Sequence, residues 1–205
     1  MKLITIGDSI TKGTYFDNDK STYAEAKPNY SERLQKLLGA DEMVCLGVNG
    51  VSTSATSPQN SENALWRLCE KAVGGDIIVV AGGTNDFGTS VEVGKPTDEG
   101  DVSTCGALRI LFTRLKENNP TTEIYAVLPI PRRNENVPNG KGYVLDDYRT
   151  AIREVATAFH IAVIDGKKLV IDPENEADRQ KYMPTVYIPT TRDTLCTRNF
   201  FMRKF

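Results

Sequence analysis

Short apolar runs alternate with amphipathic stretches along the chain. Residues 2–6, 42–46, 76–81, 123–128 and 161–165 read as strands. The stretch 76–81, Asp-Ile-Ile-Val-Val-Ala, is the clearest: continuous, β-branched and bounded by glycines, as expected of a strand covered on both faces. Helices are predicted over 29–38, 62–73, 107–116 and 144–159. In the first, Leu34, Leu37 and Leu38 share a face and Pro28 stands at its start. In the second, Ala64, Leu65, Leu68 and Ala72 recur at helical spacing. Residues 87–103, rich in Gly, Thr and acids, and 129–142, rich in Pro, Asn, Arg and Gly, read as long surface loops. Five strands interleaved with helices predict an α/β sandwich around a mainly parallel sheet. Ligands bind such sheets at the carboxyl ends of the strands, so chemistry is sought directly after strands one, two and three.

Composition narrows the picture. A length of 205 residues, 40% hydrophobic and 25% charged, suits one soluble domain with a full core. The net charge of −2 gives no electrostatic case for nucleic acid or a membrane surface. No run approaches the ~20 apolar residues of a membrane span. The apolar start, Met1 to Ile6, is too short for a signal peptide, so a cytoplasmic protein is expected unless an export signal has been removed. Cys45, Cys69, Cys105 and Cys196 form no C-x-x-C pair and have no nearby His; reduced, mostly buried thiols are expected.

After strand one the chain reads Gly7-Asp8-Ser9-Ile10-Thr11. A serine in the turn leaving a buried strand can present its hydroxyl at the sheet edge, and backbone N–H groups of a following helix can receive negative charge. The alternative is an ordinary Asp/Ser helix cap. After strand two comes Gly47-Val48-Asn49-Gly50-Val51-Ser52-Thr53-Ser54, either a flexible loop or a loop whose Gly50 N–H donates to an oxyanion. After strand three comes Gly82-Gly83-Thr84-Asn85-Asp86, either an Asn/Asp turn or a site for the Asn85 amide as a second donor.

In order, each after a strand, these motifs resemble the blocks of the SGNH (GDSL) hydrolase family. Gly7-Asp8-Ser9-Ile10-Thr11 matches the first, Gly50 the second and Gly83-Thr84-Asn85-Asp86 the third. The resemblance covers residues 1 to about 184 and implies a flavodoxin-like three-layer α/β/α sandwich. It implies Ser9 as nucleophile, with the Ser9 backbone N–H, Gly50 and Asn85 as the oxyanion hole; Gly47 competes with Gly50. The mechanism it implies needs no cofactor, and no metal-binding cluster is visible in the sequence.

The family's fourth block, Asp-x-x-His-Pro, is absent. The only histidine, His160, lies between the fourth helix and fifth strand and reads as structural or surface. From Thr185 onward the tail shows no helical or strand period, where the family has a long amphipathic helix. Restoring one G before the Thr185 codon and shifting the frame permits Asp-Gly-Leu-His-Pro-Asn-Asp-Lys-Gly-His. Thr185 then becomes Asp, and the codons of Tyr187 and Ile188 can give His. The catalytic His and Asp are therefore expected near Thr185 and Ile188 but are not present. The chain is expected to divide into a hydrolase domain, 1–184, and an aberrant, frame-shifted tail, 185–205; the alternative is a divergent tail with lost catalysis. Loss of the last helix would expose apolar surface for a homodimer or disorder to cover.

The expected activity is that of a serine esterase or acylhydrolase cleaving acyl or acetyl esters of small molecules or carbohydrates through an acyl-Ser9 intermediate, impaired in this chain. The alternative is a catalytically inactive ester- or carbohydrate-binding module of the same fold. A redox or phosphate-binding flavodoxin-like protein has no Gly-x-Gly-x-x-Gly, P-loop or C-x-x-C to support it. The two long loops are expected to shape the pocket; Arg132 and Arg133 would suit an anionic or sugar substrate if they are not merely solvated.

Overall fold

The computed structural model describes residues 1–17, 22–59, 61–169, 172 and 175. The chain runs through β1 (Lys2–Gly7), α1 (Ser9–Lys12), β2 (Thr14–Asp17), β3 (Thr22–Glu25), α2 (Tyr30–Leu38), β4 (Glu42–Gly47), β5 (Ile77–Ala81), α3 (Thr84–Gly88), α4 (Thr104–Asn118), β6 (Glu123–Val127), α5 (Leu145–Ala158) and β7 (Ala162–Ile164). Five strands form one sheet in the order β4-β1-β5-β6-β7, and every pairing in it is parallel. Its hydrophobic strands fill two clusters, one on each side. Ile4, Ile6, Ile78, Val80, Ile124 and Ala126 pack against α4, α5 and the 65–71 segment. Leu3, Ile77, Val79 and Ile164 pack with Tyr30 and Leu34 of α2. Alternation along each strand makes this possible, because successive side chains point to opposite faces. The flavodoxin-like α/β architecture predicted from the sequence is thus the one observed.

The β1–β4 and β1–β5 registers put Gly7 opposite both Gly47 and Ala81. Three strands therefore end together, and the segments leaving them emerge on one edge of the sheet.

Most predicted elements agree with the structure to within a few residues. Helix α2 starts from an Asn29 capping box, in which Glu32 N–H donates to Asn29 Oδ1 and Asn29 N–H to Glu32 Oε2. The helix expected over 62–73 is instead two 3₁₀ segments, Ser61–Asn63 and Leu65–Lys71. Leu65 N–H donates to Ser52 O at 2.9 Å, and Ala64 is extended (φ −43°, ψ 142°), so the i→i−4 ladder never starts. Periodicity still found the buried face, since Ala64, Leu65, Leu68 and Ala72 are all buried. The stretch predicted as surface loop 87–103 begins inside α3 and buries Val91 and Val93. The β2–β3 hairpin has no counterpart among the predicted elements; its strands are four residues each, too short to show a period. Cys45 is half-buried, and Cys69 and Cys105 are buried, all three free; Cys196 lies outside the described residues. No described helix is long and apolar enough to cross a membrane.

Candidate active site

Strand β1 ends at Gly7 because the chain has no room there. A Cβ on Gly7 would lie 2.0 Å from Thr11 Oγ1 and 2.6 Å from Ala81 O. Asp8 comes next as the N-cap of α1, its carboxylate accepting from Ile10 N–H at 2.8 Å. Ser9 is the first residue of α1 and half-buried, and its hydroxyl has no partner among the described residues. Gly13, left-handed at φ 85°, closes the helix after one turn. Burial pushes the Asp8 carboxyl up to about 7, and the nearby Asp86 charge pushes the same way; the Ile10 N–H and the Arg132 charge oppose them.

Strand β4 ends at Gly47, whose Cβ would lie 2.4 Å from the Lys12 nitrogen. Gly47 is therefore where β4 passes against the backbone of α1. The chain then turns over 48–51, with Val51 N–H donating to Val48 O at 3.4 Å. Gly50 is the third residue of that turn, at φ 69°, the left-handed position such a turn requires. Its N–H donates to no described residue, and the nearest atom to a Cβ there is Gln59 Oε1, 3.7 Å away. The two competing glycines thus differ: Gly47 is pressed against α1, and Gly50 borders open space.

Strand β5 leads through Gly83 (φ 101°) into α3. The Asn85 amide donates to Val51 O at 2.8 Å. An amide has two N–H groups, so one remains. Its neighbour Asp86, fully buried, accepts from Thr53 N–H at 3.0 Å, from the Thr53 hydroxyl and from the Thr104 hydroxyl at 3.2 Å. Burial raises its carboxyl above the ordinary range.

Ser9, Gly50 and Asn85 therefore share one edge of the sheet. His160 precedes β7, so in a parallel sheet it sits at the opposite, amino edge; it is exposed at φ 54°. The positions expected for the missing His and Asp, near Thr185 and Ile188, lie outside the described residues. Arg133 is exposed as expected of a solvated arginine, but Arg132 is not. Its Nη1 donates to Thr84 O at 2.7 Å and Thr84 Oγ1 at 3.1 Å, and its guanidinium lies 5.1 Å from the Phe87 ring centre. Sequence reasoning missed the part played by Asp86, Thr53 and Thr104. Asp86 and Thr53 fall inside the motifs read after the strands, but nothing local pairs residues 33 and 18 positions apart. Among the described residues no group of three or more His, Cys, Asp or Glu could hold a metal ion.

The fold has solved relatives. A protein from Lactobacillus plantarum superposes with a TM-score of 0.82 at 21% identity, over 99% of this chain and 95% of that one. A lipase/acylhydrolase from Enterococcus faecalis superposes with a TM-score of 0.62 at 19% identity, over 99% of this chain and 94% of that one. At these identities the likeness is one of fold. No curated protein matches the chain. Residues 5–184, nearly the whole described structure and all three strand-end motifs, match the model of the GDSL-like lipase/acylhydrolase family, and the chain belongs to that family of ester-hydrolysing enzymes.

Proposed function

We propose that the fold of this chain is built to cleave carboxylic esters through an acyl-Ser9 intermediate, and that the chain itself lacks the base that would drive it. The supporting observation is the common end of β1, β4 and β5, which carries the Ser9 hydroxyl, the Gly50 N–H and the Asn85 amide onto one edge. In this reading Ser9 Oγ attacks the ester carbonyl and loses its proton to a base. The Ser9 and Gly50 N–H groups and the second Asn85 N–H receive the oxyanion; the C–O bond then breaks and the alcohol leaves. Water hydrolyses the acyl-serine.

The base is the gap. The one histidine is at the wrong edge, and codon degeneracy permits the tail from Thr185 to be read as Asp-Gly-Leu-His-Pro after insertion of one base. Residues 1–184 are then the hydrolase domain and 185–205 the product of a single-base deletion. Such a chain should keep only the residual catalysis of an oxyanion hole and binding surface.

The test is p-nitrophenyl acetate hydrolysis by this chain, by the frame-restored chain and by Ser9→Ala in each. Restoration should raise the Ser9-dependent rate by ~1000-fold or more. Equal rates in both, insensitive to serine-directed inhibitors, would sink the reading. An intact reading frame for this tail in the source genome would sink the deletion. The absent fourth block also favours a second reading, a binding module that keeps the pocket; it predicts ester or sugar binding with no fluorophosphonate labelling of Ser9 in either chain.

A further inference from the structure

The loop 48–54 and helix α3 carry separate parts of the proposed oxyanion hole, and two adjacent residues tie them together. Asn85 donates its amide to Val51 O. Asp86 takes both the backbone N–H and the hydroxyl of Thr53. All three bonds fall within a few residues of Gly50. The Asp86 carboxylate is fully buried, and Thr53 is 1% exposed, so the Asp86–Thr53 bonds are shielded from solvent. A buried carboxylate needs donors wherever it stands, and Thr104 on α4 supplies one that has no connection with the loop. The two Thr53 donors have no such freedom: satisfying Asp86 through them fixes where the loop lies relative to α3.

We propose that Asp86 is a positioning residue that, through Thr53, sets the distance between the Gly50 N–H and the Asn85 amide. This rests on the reading of Ser9, Gly50 and Asn85 as the nucleophile and oxyanion hole. The consequence is specific. Loosening the Thr53 link lets the 48–51 turn drift from α3, and a drift of about 1 Å in a catalytic group can cost up to ~100-fold in rate. Loosening the Thr104 link costs the same carboxylate a hydrogen bond but leaves the turn where it is. Ser52, between the two anchored residues, supplies a second reference. Its buried hydroxyl bonds to none of the described residues, so its removal disturbs the loop without touching the link.

Thr53→Val, Thr53→Ser, Thr104→Val and Ser52→Ala are compared with the parent by the kinetics of Ser9 labelling with a fluorophosphonate. Both the full chain and the frame-restored chain are used, with Ser9→Ala as the blank. Asp86→Ala invites unfolding, so Thr53→Val carries the test. The expected result is a fall of ~10-fold or more in the maximal labelling rate of Thr53→Val, with the half-saturating probe concentration unchanged. Thr53→Ser should recover most of it, and Thr104→Val and Ser52→Ala should stay within ~2-fold of the parent. Amide exchange should quicken at residues 51–54 in Thr53→Val alone. Equal losses in Thr53→Val and Thr104→Val, or a full-rate Thr53→Val, overturn the proposal while Ser9-dependent labelling leaves the assignment of the nucleophile intact. Absence of labelling in both chains overturns the two together.

Discussion

The Asn85 side-chain amide donates to the Val51 carbonyl over 2.8 Å, so the segment after β5 grips the loop after β4. That bond orients the amide and adds to the Thr53–Asp86 bonds that hold the loop. Asn85→Ala loses a donor and that grip together, and a drop of ~100–1000-fold in kcat is expected. Steady-state p-nitrophenyl acetate kinetics on the frame-restored chain measure it. A loss confined to KM would mean that Asn85 only binds substrate.

The two glycines after β4 separate by substitution. Gly47→Ala drives a Cβ to 2.4 Å from the Lys12 nitrogen, which is backbone and cannot swing away. A destabilisation of about 2–3 kcal/mol is expected, with α1 and Ser9 displaced. Gly50→Ala meets nothing closer than 3.7 Å but must hold φ near 69°, which costs about 1–2 kcal/mol. Urea unfolding ranks them, and the reverse order would contradict the packing described.

Asp8 makes stability depend on pH in an unusual direction. Its carboxyl sits at about 7 in the fold against an ordinary 3.8, because burial disfavours the charge and Asp86 faces it. The native state therefore holds more protons between about pH 4 and 7, and this contribution to stability is lost as pH rises through that window. Asn is as good an N-cap and carries no charge. Asp8→Asn should match the parent near pH 4 and exceed it by a few kcal/mol at most, roughly, by pH 8. Thermal melts across that range decide it; a constant offset would mean that Asp8 does not titrate there.

Arg149 is a buried hub for the loop that follows β6. It donates to Pro129 O, Ile130 O, Glu135 and Asp146, and its side chain is 3% exposed. Arg149→Met leaves Glu135, 12% exposed, without its guanidinium partner and with the Arg132 N–H as its remaining donor. A loss of about 3–5 kcal/mol is expected. Arg149→Met with Glu135→Gln should recover part of it, because the uncompensated charge is gone. Additive losses in that cycle, measured by denaturation, would show the pair to be uncoupled.

The five strands of the main sheet, their parallel pairing and the three motifs that end on one edge were legible in the sequence. Each of these is a local or periodic signal: β-branched runs for the buried strands, alternation for the two faces, and Gly, Asp, Ser and Asn where the chain leaves a strand. That the chain carries a single histidine was equally legible, being a matter of counting. Tertiary structure decided what no window of neighbours contains. Gly47 was told apart from Gly50 by the backbone of Lys12, 35 residues away in the chain. Arg132 left solvent for Thr84, 48 residues off. The helical period of 62–73 gave the buried face but not the helix, since Ser52 O had already taken the Leu65 N–H. The Asp86–Thr53 link was silent in sequence for the same reason. Periodicity reports which face is buried, whereas hydrogen-bond partners are chosen by whichever group the folded chain brings within about 3 Å.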